Sequence, residues 1–231
     1  TVECLTPIYD SIPDIAVMCK GFFSVVPYVV PGKYVAYAFS YTGGALLQWC
    51  METFGKGETN ESMERSYGKD SPTGLLVLPH FAGAATPYMD TGSRGAILGL
   101  TTATTAADIY RACMEGVVYE MRLNYEALQG SGIHFKKLHA TGGGARSKVW
   151  MQMKADVLGL PITALKTVDA GTVGSAMLTG VAVGLFSDLH DAAAHMVQER
   201  ETYYPREDMH QSYMTIYERY KGVYSAVRPL M

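Results

Sequence analysis

The stretch LHATGGGARSKVW (Leu138–Trp150) sets three consecutive glycines between an apolar run and a segment with helical spacing. Just upstream, IHFKKLHAT (Ile133–Thr141) reads as a strand. Downstream, SKVWMQMKADVLG (Ser147–Gly159) reads as a helix with Gly159 near its C-terminal end, and PITALK (Pro161–Lys166) as a second strand. In open α/β sheets such strand-to-helix turns are where ligands bind. Glycine lets the backbone approach a flat base or a ribose closely, and the N–H groups opening the next helix attract polar or anionic atoms. A tight turn with no ligand accounts for the three glycines equally well, so the surrounding chain has to separate the two readings.

Outward from this turn the pattern is regular. TAAD (Thr105–Asp108) has capping-box spacing, and after it Tyr110, Met114, Val117, Met121, Tyr125 and Leu128 recur at helical intervals. Arg111 with Glu115 and Arg122 with Glu126 form two i,i+4 ion pairs on another face of this long helix. GTVGSAMLTGVAVGLF (Gly171–Phe186) reads as a helix with a small-residue face. Gln211–Arg228 carries Tyr213, Tyr217, Tyr220, Tyr224 and Val227 at the spacing of one C-terminal helix.

The first forty residues favour strands: VECLTPIY, GFFSVVPYVV and KYVAYAFSY, with VPGK (Val30–Lys33) as a turn between the last two. GGALLQWCMETF (Gly43–Phe54) reads as a short helix opened by glycines, with Gln48 sharing a face with Gly44. The charged stretch from Gly55 to Gly74 reads as a surface excursion. Leu75–Leu100 holds a short buried strand and then a long loop containing Pro79, Pro87 and Asp90, the one acidic residue in a loop setting that suggests function, although a simple solvated Asp fits these grounds better. An antiparallel β start followed by α-β-α-β-α predicts an α/β fold, a mixed sheet flanked by helices.

Bulk properties narrow the classes. With 231 residues, 48% hydrophobic and 18% charged, the chain suits one large globular domain or two small ones. A net charge of −3 and the absence of any Lys/Arg run give no footprint for nucleic acid. The longest apolar stretch, IAVMCKGFFSVVPYVV, is broken by Lys20 and Pro27 and predicts no membrane span. Cys4, Cys19, Cys50 and Cys113 lack CxxC spacing and read as buried thiols of a reducing, cytoplasmic setting. The chain opens at Thr1, without Met and inside apparent structure, which predicts a piece of a longer protein.

Several constellations are missing: HExxH, GxSxG, a P-loop and a carboxylate dyad. His134/His139 and His190/His195 are five residues apart, which puts each pair on different helix faces and predicts no metal site. A dinucleotide fingerprint fits badly, because Ser147 stands where its third glycine belongs and the next strand ends in Lys166, with Asp169 beyond.

Taken together the blocks resemble the C-terminal domain of the FGGY carbohydrate kinases, the family of xylulose, glycerol and gluconate kinases. PGKY, TGGALLQW, LVLPHFAG followed by TPYMD, RGAILGLT, GGGARSKVWMQMKADVLGLPI, VGSAMLTGVAVGLF and YPREDMHQSYMTIYERYKGVY match in order along nearly the whole chain. The resemblance implies a ribonuclease-H-like (actin-like ATPase) domain over residues 1–231. It also implies ATP with Mg²⁺, and transfer of the γ-phosphate to a hydroxyl of a pentulose or related sugar or polyol. By the same resemblance Thr1 matches a phosphate-contacting threonine, and Gly44 and Gln48 match residues flanking the nucleotide. Gly143, Gly144 and Ala145 match the turn against the adenosine, and Ser147 falls near a further adenosine contact. The family's catalytic aspartate, its first phosphate loop and most of its sugar pocket are expected upstream of Thr1, in an N-terminal domain, so this piece alone is expected to be inactive. Many members read GERTP where this chain has GAATP (Gly83–Pro87), which argues against a specific xylulose assignment. A non-catalytic module that binds ADP or mediates a homodimer is the alternative, and a dinucleotide-binding domain the third.

Overall fold

Pro7 has no amide hydrogen to give a β-ladder, and the first strand breaks there. The computed structural model describes residues 2–167 and 169–231. In it β1 (Glu3–Leu5) and β2 (Ile8–Tyr9) lie along one edge of β4 (Tyr34–Ser40) in a single antiparallel register, Leu5 opposite Ala38 and Ile8 opposite Val35. Between them Ala36 still donates its N–H to the Pro7 carbonyl at 3.0 Å. β3 (Ser24–Pro27) pairs with the other edge of β4 through the anticipated Val30–Lys33 turn, with Gly32 at φ +78°. A short α1 (Ile15–Lys20), capped by Asp14, stands between β2 and β3 in a stretch read from sequence only for its apolarity.

α2 (Gly44–Phe54) forms as its pattern predicts. The segment taken as a surface excursion instead carries α3 (Asn60–Tyr67). Thr59 caps it, and Met63 and Tyr67, four residues apart, are both buried. The long loop is anchored by β5 (Leu76–Leu78) and β6 (Ala96–Leu98), an antiparallel pair. α4 (Ala106–Gln129) opens with the predicted capping box: Asp108 N–H donates to Thr105 Oγ1 and Thr105 N–H to Asp108 Oδ2. It runs through the middle of the molecule. Its Met114, Val117 and Val118 join one apolar cluster with α2 and β5, and its Met121, Tyr125 and Leu128 join another with the β1–β4 ribbon. Gly116 is required there: a Cβ would stand 2.3 Å from the Val77 carbonyl, so only glycine lets α4 lie this close to β5.

The Gly142–Gly144 turn lies inside a βαβ unit. β7 (Leu138–Ala140), α5 (Lys148–Leu158) and β8 (Ile162–Leu165) follow in order, with β7 and β8 parallel and Gly159 closing α5 in the left-handed conformation. An unanticipated β9 (Glu199–Tyr203) adds antiparallel to β8 and makes this sheet mixed. α6 (Ala170–Ala182) and α7 (Leu189–Met196) intervene. The predicted C-terminal helix is two: α8 (Glu207–Tyr220) and α9 (Val223–Val227), interrupted at Lys221–Gly222. Tyr213, Tyr217 and Tyr220 of α8 enter the core beside α4 as their spacing requires. Of the cysteines, Cys50 and Cys113 are buried, whereas Cys4 and Cys19 are exposed. No helix among the described residues is long and apolar enough to cross a membrane.

Candidate functional site

Ser147 decides where α5 begins. Its extended backbone precedes the helix, and its Oγ accepts from the Trp150 N–H at 3.0 Å. Gly142 sits at φ +87°, ψ −176°, a conformation open to glycine alone, and Gly143–Arg146 make one 3₁₀ turn before the cap. The turn has two unlike sides. No heavy atom lies within 4 Å of where a Cβ would stand on Gly142 or Gly143, so bare backbone faces open space there. At Gly144 a Cβ would lie 3.0 Å from the Trp150 ring, and Ala145 is buried with its carbonyl accepting from the Arg200 guanidinium. The structure thus holds one side rigidly and leaves the other clear.

The second glycine opening, at the start of α2, is held in a similar way. The Thr42 hydroxyl donates to the Pro79 carbonyl. Gly43 backs onto Glu3, whose Cβ would be 3.1 Å from a Cβ at that position. Gly44 and Gln48 are exposed on α2, and Gln48 Nε2 donates to Glu52 Oε1 at 2.8 Å. Glu3 in turn accepts from Lys154 Nζ at 2.5 Å, in a pair whose side chains are only 17% and 6% exposed. Lys154 lies 4.4 Å from the centre of the Trp150 ring and 3.6 Å from the Cβ position of Gly144. A partly buried ion pair therefore stands between the two glycine turns, with Glu3 behind Gly43 and Lys154 behind Gly144. Both residues also line a cavity of about 810 Å³ between β1 and β7.

At the far end of the turn the Ser147 hydroxyl donates to Glu64 Oε1 of α3 at 2.8 Å. Burial raises the Glu64 carboxyl above its ordinary value, against the lowering effect of Ser147 and Arg111. The sequence names Gly44, Gln48, Gly143, Gly144, Ala145 and Ser147 as candidates; Glu3, Lys154 and Glu64, which the structure sets beside the two glycine turns, are not among them. The i,i+4 spacing of Trp150 and Lys154 was a usable signal. Glu64 lay hidden because its helix was read as a loop. Thr1 lies outside the described residues.

Asp90, singled out for its loop, is occupied otherwise. Its carboxylate accepts from Arg228 and from Tyr224 OH at 2.8 Å, fixing the loop to the C-terminal segment. His80, buried nearby, bonds Ser93 at 2.8 Å and Glu120 at 3.2 Å, and Glu120 also accepts from Tyr220 at 2.5 Å. Among the described residues no three His, Cys, Asp or Glu side chains come together as a metal cage.

A sequence profile of the C-terminal domain of the FGGY family of carbohydrate kinases matches residues 10–183. A xylulose kinase from Staphylococcus epidermidis is 29% identical over 203 residues, which cover 87% of this chain and 41% of the relative. A glycerol kinase from Deinococcus radiodurans is 34% identical over 168 residues, covering 72% of this chain and 33% of the relative. The crystal structure of a xyloylose kinase from Brucella ovis superposes with a TM-score of 0.88 at 25% identity, over 100% of this chain and 47% of that one. The chain thus spans less than half the length of the relatives it matches, and its mixed α/β architecture is the actin-like ATPase fold they share. The chain belongs to the FGGY family of carbohydrate kinases and corresponds to its C-terminal domain.

Proposed function

We propose that this chain is the nucleotide-holding half of an ATP-dependent sugar kinase. The observation that carries the reading is the one-sided turn at Gly142–Gly144, bare backbone outward and packed inward, coupled to the α2 opening by the Glu3–Lys154 pair. Adenosine lies against Gly143, Gly144 and Ala145, with Ser147 at the rim. Gly44 and Gln48 flank the nucleotide from α2, and Thr1 contacts a phosphate. The acceptor is a hydroxyl of a pentulose or related polyol. Kinase-named relatives on both the pentulose and glycerol sides support that class and leave the individual sugar open.

Phosphoryl transfer depends on positioning and on stabilising charge at the phosphates. This half supplies rigid backbone for the nucleoside, while the base that takes the hydroxyl proton and most sugar contacts belong to the other half of the full-length kinase. Closure of the two halves would exclude water and align the acceptor hydroxyl with the γ-phosphate. Mg²⁺ is commonly bound through substrate phosphates and its own waters, and the described residues offer it no carboxylate cage.

Calorimetric titration of the purified chain with ADP tests the reading. Binding at millimolar or lower concentration is expected, with no turnover of ATP and sugar by this chain alone. No heat at millimolar ADP would count against the cradle, and displacement of ADP by NAD would favour a dinucleotide site instead.

A further inference from the structure

The hydroxyl at the rim of the turn has already spent its proton. A serine Oγ has one hydrogen and two lone pairs. That of Ser147 gives its hydrogen to Glu64 Oε1 at 2.8 Å and accepts from the Trp150 N–H at 3.0 Å, leaving one lone pair free. The second carboxylate oxygen of Glu64 has no hydrogen-bond partner among the described residues. The pair therefore offers only acceptors to whatever reaches it. Glu64 is also well placed to stay put. It lies on α3, capped by Thr59 and clamped to the core by Met63 and Tyr67 on either side of it in sequence, and it is itself half-buried.

We infer that Glu64, oriented by Ser147, accepts a hydrogen bond from the exocyclic amino group of the purine, making it a specificity-determining residue of the nucleotide site. The inference rests on the nucleotide-holding function proposed above. It adds that α3 closes the cradle at its base end, so the site selects a base carrying an amino donor. A charged acceptor makes such a hydrogen bond stronger than a neutral one would.

The test pairs deletion of the amino group with deletion of the carboxylate. Dissociation constants of ADP and of purine riboside diphosphate, which lacks the 6-amino group, are measured by amide chemical-shift titration of the chain and of Glu64→Ala. The wild-type chain is expected to bind ADP about tenfold more tightly than the analogue, and Glu64→Ala to bring the two within about twofold. Glu64→Gln keeps the size of the side chain but turns an N–H₂ outward once its oxygen accepts from Ser147. It lowers the ratio as well, which provides a second reading should the alanine variant fold poorly. An unchanged ratio in the variants, or a wild-type ratio near one, overturns the role of Glu64 while leaving the cradle standing. Failure of the wild-type chain to bind either nucleotide overturns both.

Discussion

Lys154 Nζ lies 2.5 Å from Glu3 Oε1, joining α5 to β1 across 151 positions of sequence. Both side chains are largely out of water, so removing one leaves the other charge buried and unpaired. Lys154→Met should therefore destabilise the chain by about 3 kcal/mol, seen as a lower urea midpoint at unchanged slope. The paired change Lys154→Met with Glu3→Gln should recover part of the loss, because no buried charge remains.

Gly143 provides the opposite case. With no atom near its Cβ position, Gly143→Val should leave unfolding free energy within about 0.5 kcal/mol of the parent. The new side chain would occupy the space proposed for the nucleoside, and ADP affinity should fall at least about tenfold. Equal affinity in a calorimetric comparison would remove Gly143 from the site.

Glu115 gives the stability a pH dependence. Its carboxylate accepts from Thr73 N–H at 3.0 Å and from Thr73 Oγ1 at 2.7 Å, yet burial prevails and its pKa is pushed up to about 7. The folded form holds the proton more tightly than the unfolded one. The stability linked to that proton is fully present below the ordinary value of 4.5 and is lost as pH rises through about 7. Urea titrations of wild type and Glu115→Gln from pH 5 to pH 8 should show the wild type losing ground to the variant as pH rises.

Asp90 should act on the C-terminus alone. Asp90→Asn weakens its bonds to Arg228 and Tyr224. Hydrogen exchange should then speed up across residues 223–230, with the amides of α4 unchanged.

What the sequence disclosed follows from where structure is set locally. The capping box at Thr105–Asp108, the left-handed stop at Gly159 and the Gly142–Gly144 turn are written in adjacent residues, and all three formed as read. The rest depends on distant partners. β9, Glu-Arg-Glu-Thr-Tyr, is a mostly polar edge strand made a strand only by pairing with β8. α3 is polar along most of its length, and only Met63 and Tyr67 record that it packs on α4. The C-terminal tyrosine spacing was right through Tyr220 but ran on through Gly222, where the helix breaks. For the site, the glycines were legible because their role is conformational. Glu3, Lys154 and Glu64 were not, because each takes its meaning from a partner 151 or 83 positions away.

The central claim, that the bare side of the Gly142–Gly144 turn receives adenosine, is tested most directly by mapping backbone amide shifts during titration with ADP. The largest changes should fall at Gly143, Gly144 and Ala145, with a second group at Gly44 and Gln48. Unmoved amides at Gly143, Gly144 and Ala145 at millimolar ADP would contradict it.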